Sequence, residues 1–259
     1  MEVFLNPDAW IALLTLTFLE IVLGIDNIIF ISIATGKLPA ESRKKATKIG
    51  MFLAMFMRIV LLLGITVLIA MKEPWFTIDF NWLNAQVSGQ SVILLLGGLF
   101  LIYKSTKEIH EKVDLKGEEE KELKQSATKS FGSVILQIIL IDLVFSFDSI
   151  LTAVGMTNGV AGALYIMITA VIISVLIMMQ FAIPVGNFVN KNPSIQILGL
   201  SFLILIGFML VTESAHLSNA LIFGNHVTPV PKGYLYFAIS FSLLVEVLNM
   251  RVSKKKKSK

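Results

Sequence analysis

The sequence predicts an all-α membrane protein with seven transmembrane helices, built as two inverted three-helix repeats plus a seventh helix. The amino terminus lies outside and the carboxyl terminus in the cytoplasm. Three observations predict it. Of 259 residues, 55% are hydrophobic and only 15% charged, and a mean hydropathy of +0.79 is too high for a water-soluble domain of this size. Continuous apolar runs long enough to cross ~30 Å of hydrocarbon recur along the chain. Finally, one acidic pattern occurs twice, on runs that thread the bilayer in opposite directions.

In order, the predicted spans are Trp10–Ala34, Ile49–Met71, Val87–Tyr103, Val134–Met156, Ala161–Phe188, Ile195–Thr212 and Tyr234–Met250. Together they make residues 1–259 a single polytopic domain, with repeat one over about 9–110, a cytoplasmic linker over 111–132, repeat two over about 133–216, and the seventh helix over 234–250. Strands are not expected, because a spanning barrel shows alternating segments of ~10 residues rather than continuous apolar runs. The opening MEVFLNPDAW lacks the basic stretch and cleavage site of a secretory signal, so the first span is expected to stay in the mature protein. The linker carries the acidic run Glu118, Glu119 and Glu120 among many lysines and reads as a solvated surface.

Basic residues set the orientation. Lys37, Arg43, Lys44, Lys45 and Lys48 follow the first span, a run from Lys104 to Lys129 follows the third, and Lys191 and the tail RVSKKKKSK fall on the same side. The opposite side holds only Lys72 and Lys232, while Arg58 lies inside the second span. The basic face is therefore cytoplasmic. Trp10, Trp75 and Trp82 gather at the outer interface, where amphipathic rings are favoured. The net charge of +4 reflects this topology and attraction to anionic lipid heads, and no nucleic-acid partner is implied.

The repeated pattern is EIVLGIDNIIF from Glu20 and DLVFSFDSILT from Asp142. Each has an acid, then an aspartate six positions on, then a short polar residue: Glu20 with Asp26 and Asn27, Asp142 with Asp148 and Ser149. Six residues turn a regular helix through ~600°, so the two acids of each motif project about 120° apart, whereas the first acid and the residue seven positions on share a face. Gly24 and Ser146 stand four positions after the first acid, where a small side chain permits a helix break or a close crossing. Local distortion of both motif helices is therefore expected. A secondary polar set, Glu108, His110, Glu213 and His216, closes the third and sixth spans, where an interfacial role competes with ligation.

Carboxylates in hydrocarbon carry a penalty of at least ~2.5 kcal/mol each and must be protonated, paired or bound to a cation. Arg58 can neutralise one of four, and a divalent ion is the economical partner for the rest. Oxygen donors suit Mg²⁺, Ca²⁺ or Mn²⁺, and the chain has no cysteine to offer a softer ligand.

The stretches FLEIVLGIDNIIFISI, IDLVFSFDSILTAVGM and VPKGYLYFAISFSLLVEVLNMR together resemble the TerC family of integral membrane proteins, named for tellurium resistance, over nearly the whole chain. The resemblance implies a protein of the bacterial cytoplasmic membrane, related to the LysE-like exporters, with members linked to manganese efflux. Asp26 and Asp148 match the family's intramembrane aspartates. Glu20, Asn27 and Asp142 match its accompanying polar positions, and Arg58 its second-helix arginine.

The expected function is a secondary transporter exporting a divalent metal, with Mn²⁺ preferred by resemblance alone and proton exchange as the energy source, since GxxxxGK[ST] is absent. No prosthetic group is expected. Two aspartates in separate spans are also similar in outline to an intramembrane aspartyl protease, but duplicated acids in inverted halves argue for a carrier over an enzyme. A membrane partner that supplies metal to proteins leaving through the secretion machinery is the third reading.

Overall fold

The computed structural model describes residues 6–113, 130–157 and 159–257, with the side chains of residues 25, 26 and 253–257 outside the description. The linker acids Glu118 to Glu120 also lie outside the described residues. The protein is largely helical. Along the chain come α1 (Pro7–Gly36), α2 (Ala40–Leu63), α3 (Ile65–Ala70), β1 (Pro74–Phe80), β2 (Leu83–Ser88), α4 (Gly89–Val113), α5 (Phe131–Met156), α6 (Ala163–Lys191), α7 (Pro193–Leu217), β3 (Leu221–Ile222), β4 (Asn225–His226) and α8 (Lys232–Lys257). Among the described residues, α1, α2, α5, α6, α7 and α8 are long and apolar enough to cross a membrane. The chain divides into two compact units, Met1–Glu73 with Lys116–Asn190 and Pro74–Leu115 with Lys191–Lys259.

In the first unit, α1 starts where Asn6 accepts a hydrogen bond from the Asp8 amide and Pro7 opens the helix, and it then runs thirty residues without interruption. The expected distortion of the motif helices does not occur: α1 and α5 are continuous α-helices through both motifs. Breaking either would free backbone polar groups in a setting without water, at several kcal/mol each. Gly24 serves the other purpose of a small residue. A methyl group on its Cα would lie 2.0 Å from the Sδ of Met178 on α6, so the missing side chain makes room for that sulfur. Gly50 of α2 admits Ile138 of α5 in the same manner.

The second predicted span is corrected at both ends. Its helix begins at Ala40, because the charged turns before Ile49 are helical too, and it stops at Leu63; Gly64 separates it from the short α3. Glycine weakens a helix interior by roughly 1 kcal/mol relative to alanine, which makes it the place where the run divides.

In the second unit, α4 and α7 pack antiparallel. The Ser214 hydroxyl near the end of α7 donates to the Ser91 carbonyl at the start of α4 at 2.6 Å, and the Lys112 ammonium at the other end donates to Gln196. Midway, a Cβ on Gly98 would lie 2.6 Å from the Gly207 carbonyl oxygen, and one on Gly207 would lie 2.7 Å from that of Gly98. Backbone thus meets backbone, which only glycine allows. Gly98→Ala is expected to lower stability by about 1–3 kcal/mol through overpacking; an unchanged melting temperature in detergent would refute this tight crossing.

The same unit holds a four-stranded antiparallel sheet, ordered β1-β2-β3-β4, which corrects the expectation of no strands and moves the start of the third helix from Val87 to Gly89. Its register puts Phe76, Ile78, Phe80, Leu83, Ala85 and Val87 on one face and Thr77, Asp79, Asn84 and Gln86 on the other. Period-two alternation from Phe76 to Phe80 is the signal that the sequence carries for it. The β3–β4 turn places Phe223 and Gly224 at φ of 50° and 79°, the pairing a tight hairpin of this kind requires.

Candidate metal centre

The buried polar centre of the first unit joins three helices through one guanidinium. Arg58 of α2 donates through Nε and Nη2 to the two carboxylate oxygens of Asp142 on α5, at 3.2 and 2.9 Å, and through Nη1 to Glu20 on α1. The fork on Asp142 is bidentate, the geometry for which guanidinium is shaped. The Ser146 hydroxyl, one turn on, donates to Asp142 Oδ2 at 3.0 Å. Glu20 and Arg58 are each 4% exposed and Asp142 7%. The first acid of each motif is thus brought to the same cation, although no local feature of the sequence says so.

Beside this trio lies a cavity of about 20 Å³ lined by Asn27, Arg58, Asp142, Met51, Met55 and Met178 together with the aliphatic Ile28, Ile31, Ala54 and Val175. A space of roughly this size accommodates one water-sized particle. Asn27 is 7% exposed, and its Oδ1 accepts no hydrogen bond. A buried amide oxygen without a donor is unfavourable by roughly 1–3 kcal/mol unless something electropositive fills the space it faces.

The other predicted residues are placed differently. Ser149 is buried with its hydroxyl donating back to the Ser146 carbonyl at 3.3 Å, so it is committed to its own helix. Asp148 is half-buried and does not line the cavity; its carbonyl accepts from the Thr152 hydroxyl. The side chain of Asp26 lies outside the described residues. Glu108, His110, Glu213 and His216 belong to the second unit, where the antiparallel packing of α4 and α7 sends the first two and the last two to opposite ends of the pair. Glu108 is buried and ion-paired with Lys104 at 3.2 Å, and exposed His216 meets the Val227 carbonyl. The four form no joint site.

Among the described residues, no three acid or histidine side chains cluster as a ready-made metal cage. What the centre offers is two carboxylates sharing one guanidinium, an unpaired amide oxygen and room for one small particle. Sequence reading missed Ser146 as a donor to Asp142, although its spacing of four gave the signal. It also missed Met51, Met55 and Met178, which lie outside the repeated motif and carry no local signal.

Long apolar helices around a buried ionic centre define an α-helical, multi-pass integral membrane protein. Within that class the chain belongs to the integral membrane protein TerC family, whose pattern matches residues 5–259. The inner membrane protein YgdQ of Escherichia coli (strain K12) is 48% identical over 96% of both chains, and a protein of Haemophilus influenzae in the same UPF0053 group is 44% identical over 95% of both. Another inner membrane protein of that Escherichia coli strain, YoaE, is 43% identical over 96% of this chain and 44% of its own length. No solved structure matches the chain. It is a multi-pass protein of a bacterial inner membrane.

Proposed function

We propose that the protein is a secondary transporter that exports a divalent metal ion, Mn²⁺ foremost, and that the Glu20–Arg58–Asp142 centre with the adjoining Asn27 cavity is its ion site. One observation carries the reading: acids from two corresponding motifs share a single buried guanidinium next to an unpaired amide oxygen. Two carboxylates and one guanidinium leave one negative charge. A dication neutralises both acids by itself, so it can displace Arg58 where a monovalent ion would not. Arg58 then acts as the resident counter-ion of the empty site, returning when the metal leaves and keeping two bare carboxylates from facing hydrocarbon. Carboxylates that bind metal give up any protons they hold, which makes proton exchange the natural coupling.

In this reading α4 also spans the membrane, as the third of seven spans ending with α8, and the amino terminus is outside. The first three and next three spans are inverted repeats, and the mutual fit of Gly98 and Gly207 supports them, since each plays the same part toward the other. The doubling of the acidic pattern, with a second acid six positions before each aspartate, favours a carrier over a protease dyad. A supply of metal to proteins crossing the same membrane would be a downstream use of such export.

The test is metal uptake into inverted vesicles, comparing Mn²⁺ with Ca²⁺ and Mg²⁺, with and without a pH gradient. Uptake of Mn²⁺ that depends on the protein and collapses with the gradient is expected; none with any of the three ions would end the proposal. Asp26→Asn is expected to abolish efflux while inserting normally, and manganese tolerance equal to wild type would remove Asp26 from the transport path.

A further inference from the structure

We infer that the methionines of the cavity, Met178 above all, make this site selective for first-row transition-metal dications over Ca²⁺ and Mg²⁺. The inference rests on the transport reading and names its class of cargo, which oxygen donors alone do not decide.

The placement of the methionines carries it. Met178 is 5% exposed, and its Sδ fills the space over Gly24, which lies between Glu20 and Asn27 on α1. On α2, Met51 and Met55 stand seven and three positions before Arg58, so the three share one face of the helix and all line the cavity together with Asp142. The lining thus adds three methionines to the ionic groups, and Ile28, Ile31, Ala54 and Val175 make up the rest of the wall. A thioether is a soft, polarisable donor: it adds most to the binding of softer d-block ions, less to that of Mn²⁺, and least to that of Ca²⁺ or Mg²⁺, which are hard. Independently of the acids and thioethers, Asn27, only 7% exposed, lines the same cavity and carries an amide oxygen with no hydrogen-bond donor. An ion leaving water for this space loses hydration it must replace. Oxygen from Asn27 and Asp142 replaces it for any dication, and sulfur replaces more of it for a softer transition metal. Gly24 follows from the same arrangement, because a side chain there would push the Met178 sulfur away.

The experiment uses the full-length protein, measuring equilibrium binding of Mn²⁺, Cd²⁺ and Ca²⁺ in detergent and uptake of the same ions into inverted vesicles. Wild type is compared with Met178→Leu and with the double variant Met51→Leu/Met55→Leu, both of which conserve volume and are checked for monodispersity. Met178→Leu is expected to narrow the preference for Mn²⁺ over Ca²⁺ by about tenfold, with the larger loss for the softer probe Cd²⁺. If both variants discriminate among the three ions as wild type does, the inference is overturned while transport stands. If wild type binds selectively and the leucine variants lose that selectivity, but no ion crosses the membrane, the transport reading fails and the selective site stands. Absence of both binding and uptake in wild type would overturn both.

Discussion

Replacing Arg58 with alanine is expected to destabilise the protein by about 3–5 kcal/mol and to stop metal export, because it leaves two buried acids without their cation. The stability loss is mostly the penalty of stranded charge, so it is recoverable. Combining Arg58→Met with Glu20→Gln and Asp142→Asn removes all three charges together and replaces the ionic centre with a polar, uncharged one of similar volume. That triple variant is expected to melt close to wild type in detergent while remaining inactive. Thermal unfolding followed by fluorescence, alongside vesicle uptake, separates the two effects. If the triple variant melts as low as Arg58→Ala, the centre is holding α1, α2 and α5 together through shape and hydrogen bonding rather than charge balance. Arg58→Lys adds a sharper contrast: an ammonium keeps the charge but cannot form the bidentate fork on Asp142. It is expected to fold and to transport poorly.

The second large effect is expected at Asp142. Asp142→Asn weakens both bonds of the fork, yet the remaining pair of Arg58 with Glu20 is neutral, so the fold should lose less than with Arg58→Ala. Metal affinity should fall far more. If the proposed ion site is right, losing the Asp142 carboxylate that lines the cavity is worth roughly 3 kcal/mol, or about 100-fold in dissociation constant. The check is Mn²⁺ titration of purified protein together with its melting curve. A variant that binds Mn²⁺ as tightly as wild type would place the ion away from this cavity. Glu20→Gln should have a smaller effect on binding, because Glu20 reaches the centre through Arg58 and is not part of the cavity lining.

Several elements of this arrangement are legible in the sequence. The apolar runs give the helices because local hydrophobicity and length are what a bilayer selects. Glu20, Asn27, Asp142 and Arg58 stand out as polar residues within those runs, and their expense in hydrocarbon makes them functional candidates. The sevenfold spacing that puts Glu20 and Asn27 on one face of α1 is helix geometry, and both are buried at the centre. Other expectations fail for identifiable reasons. Gly24 and Ser146 suggest broken helices, but both helices keep their bonding; one small residue admits a sulfur and the other supplies a hydroxyl. The β1–β2 hairpin escapes because Val87 fits equally well as the start of the next apolar run, even though its alternation with polar neighbours extends from Phe76.

What the sequence by itself determined is local: which segments are helical and apolar, which residues within them are too polar to be idle, and which family the chain resembles. Only the tertiary structure decided which of those residues meet. Glu20 pairs with Arg58 across 38 positions and Asp142 with Arg58 across 84. The methionines enter the site from α2 and α6 by packing alone. The physical reason is one of range: hydrophobicity and helical period act between near neighbours along the chain, whereas the pairing of buried charges depends on which helix faces are pressed together.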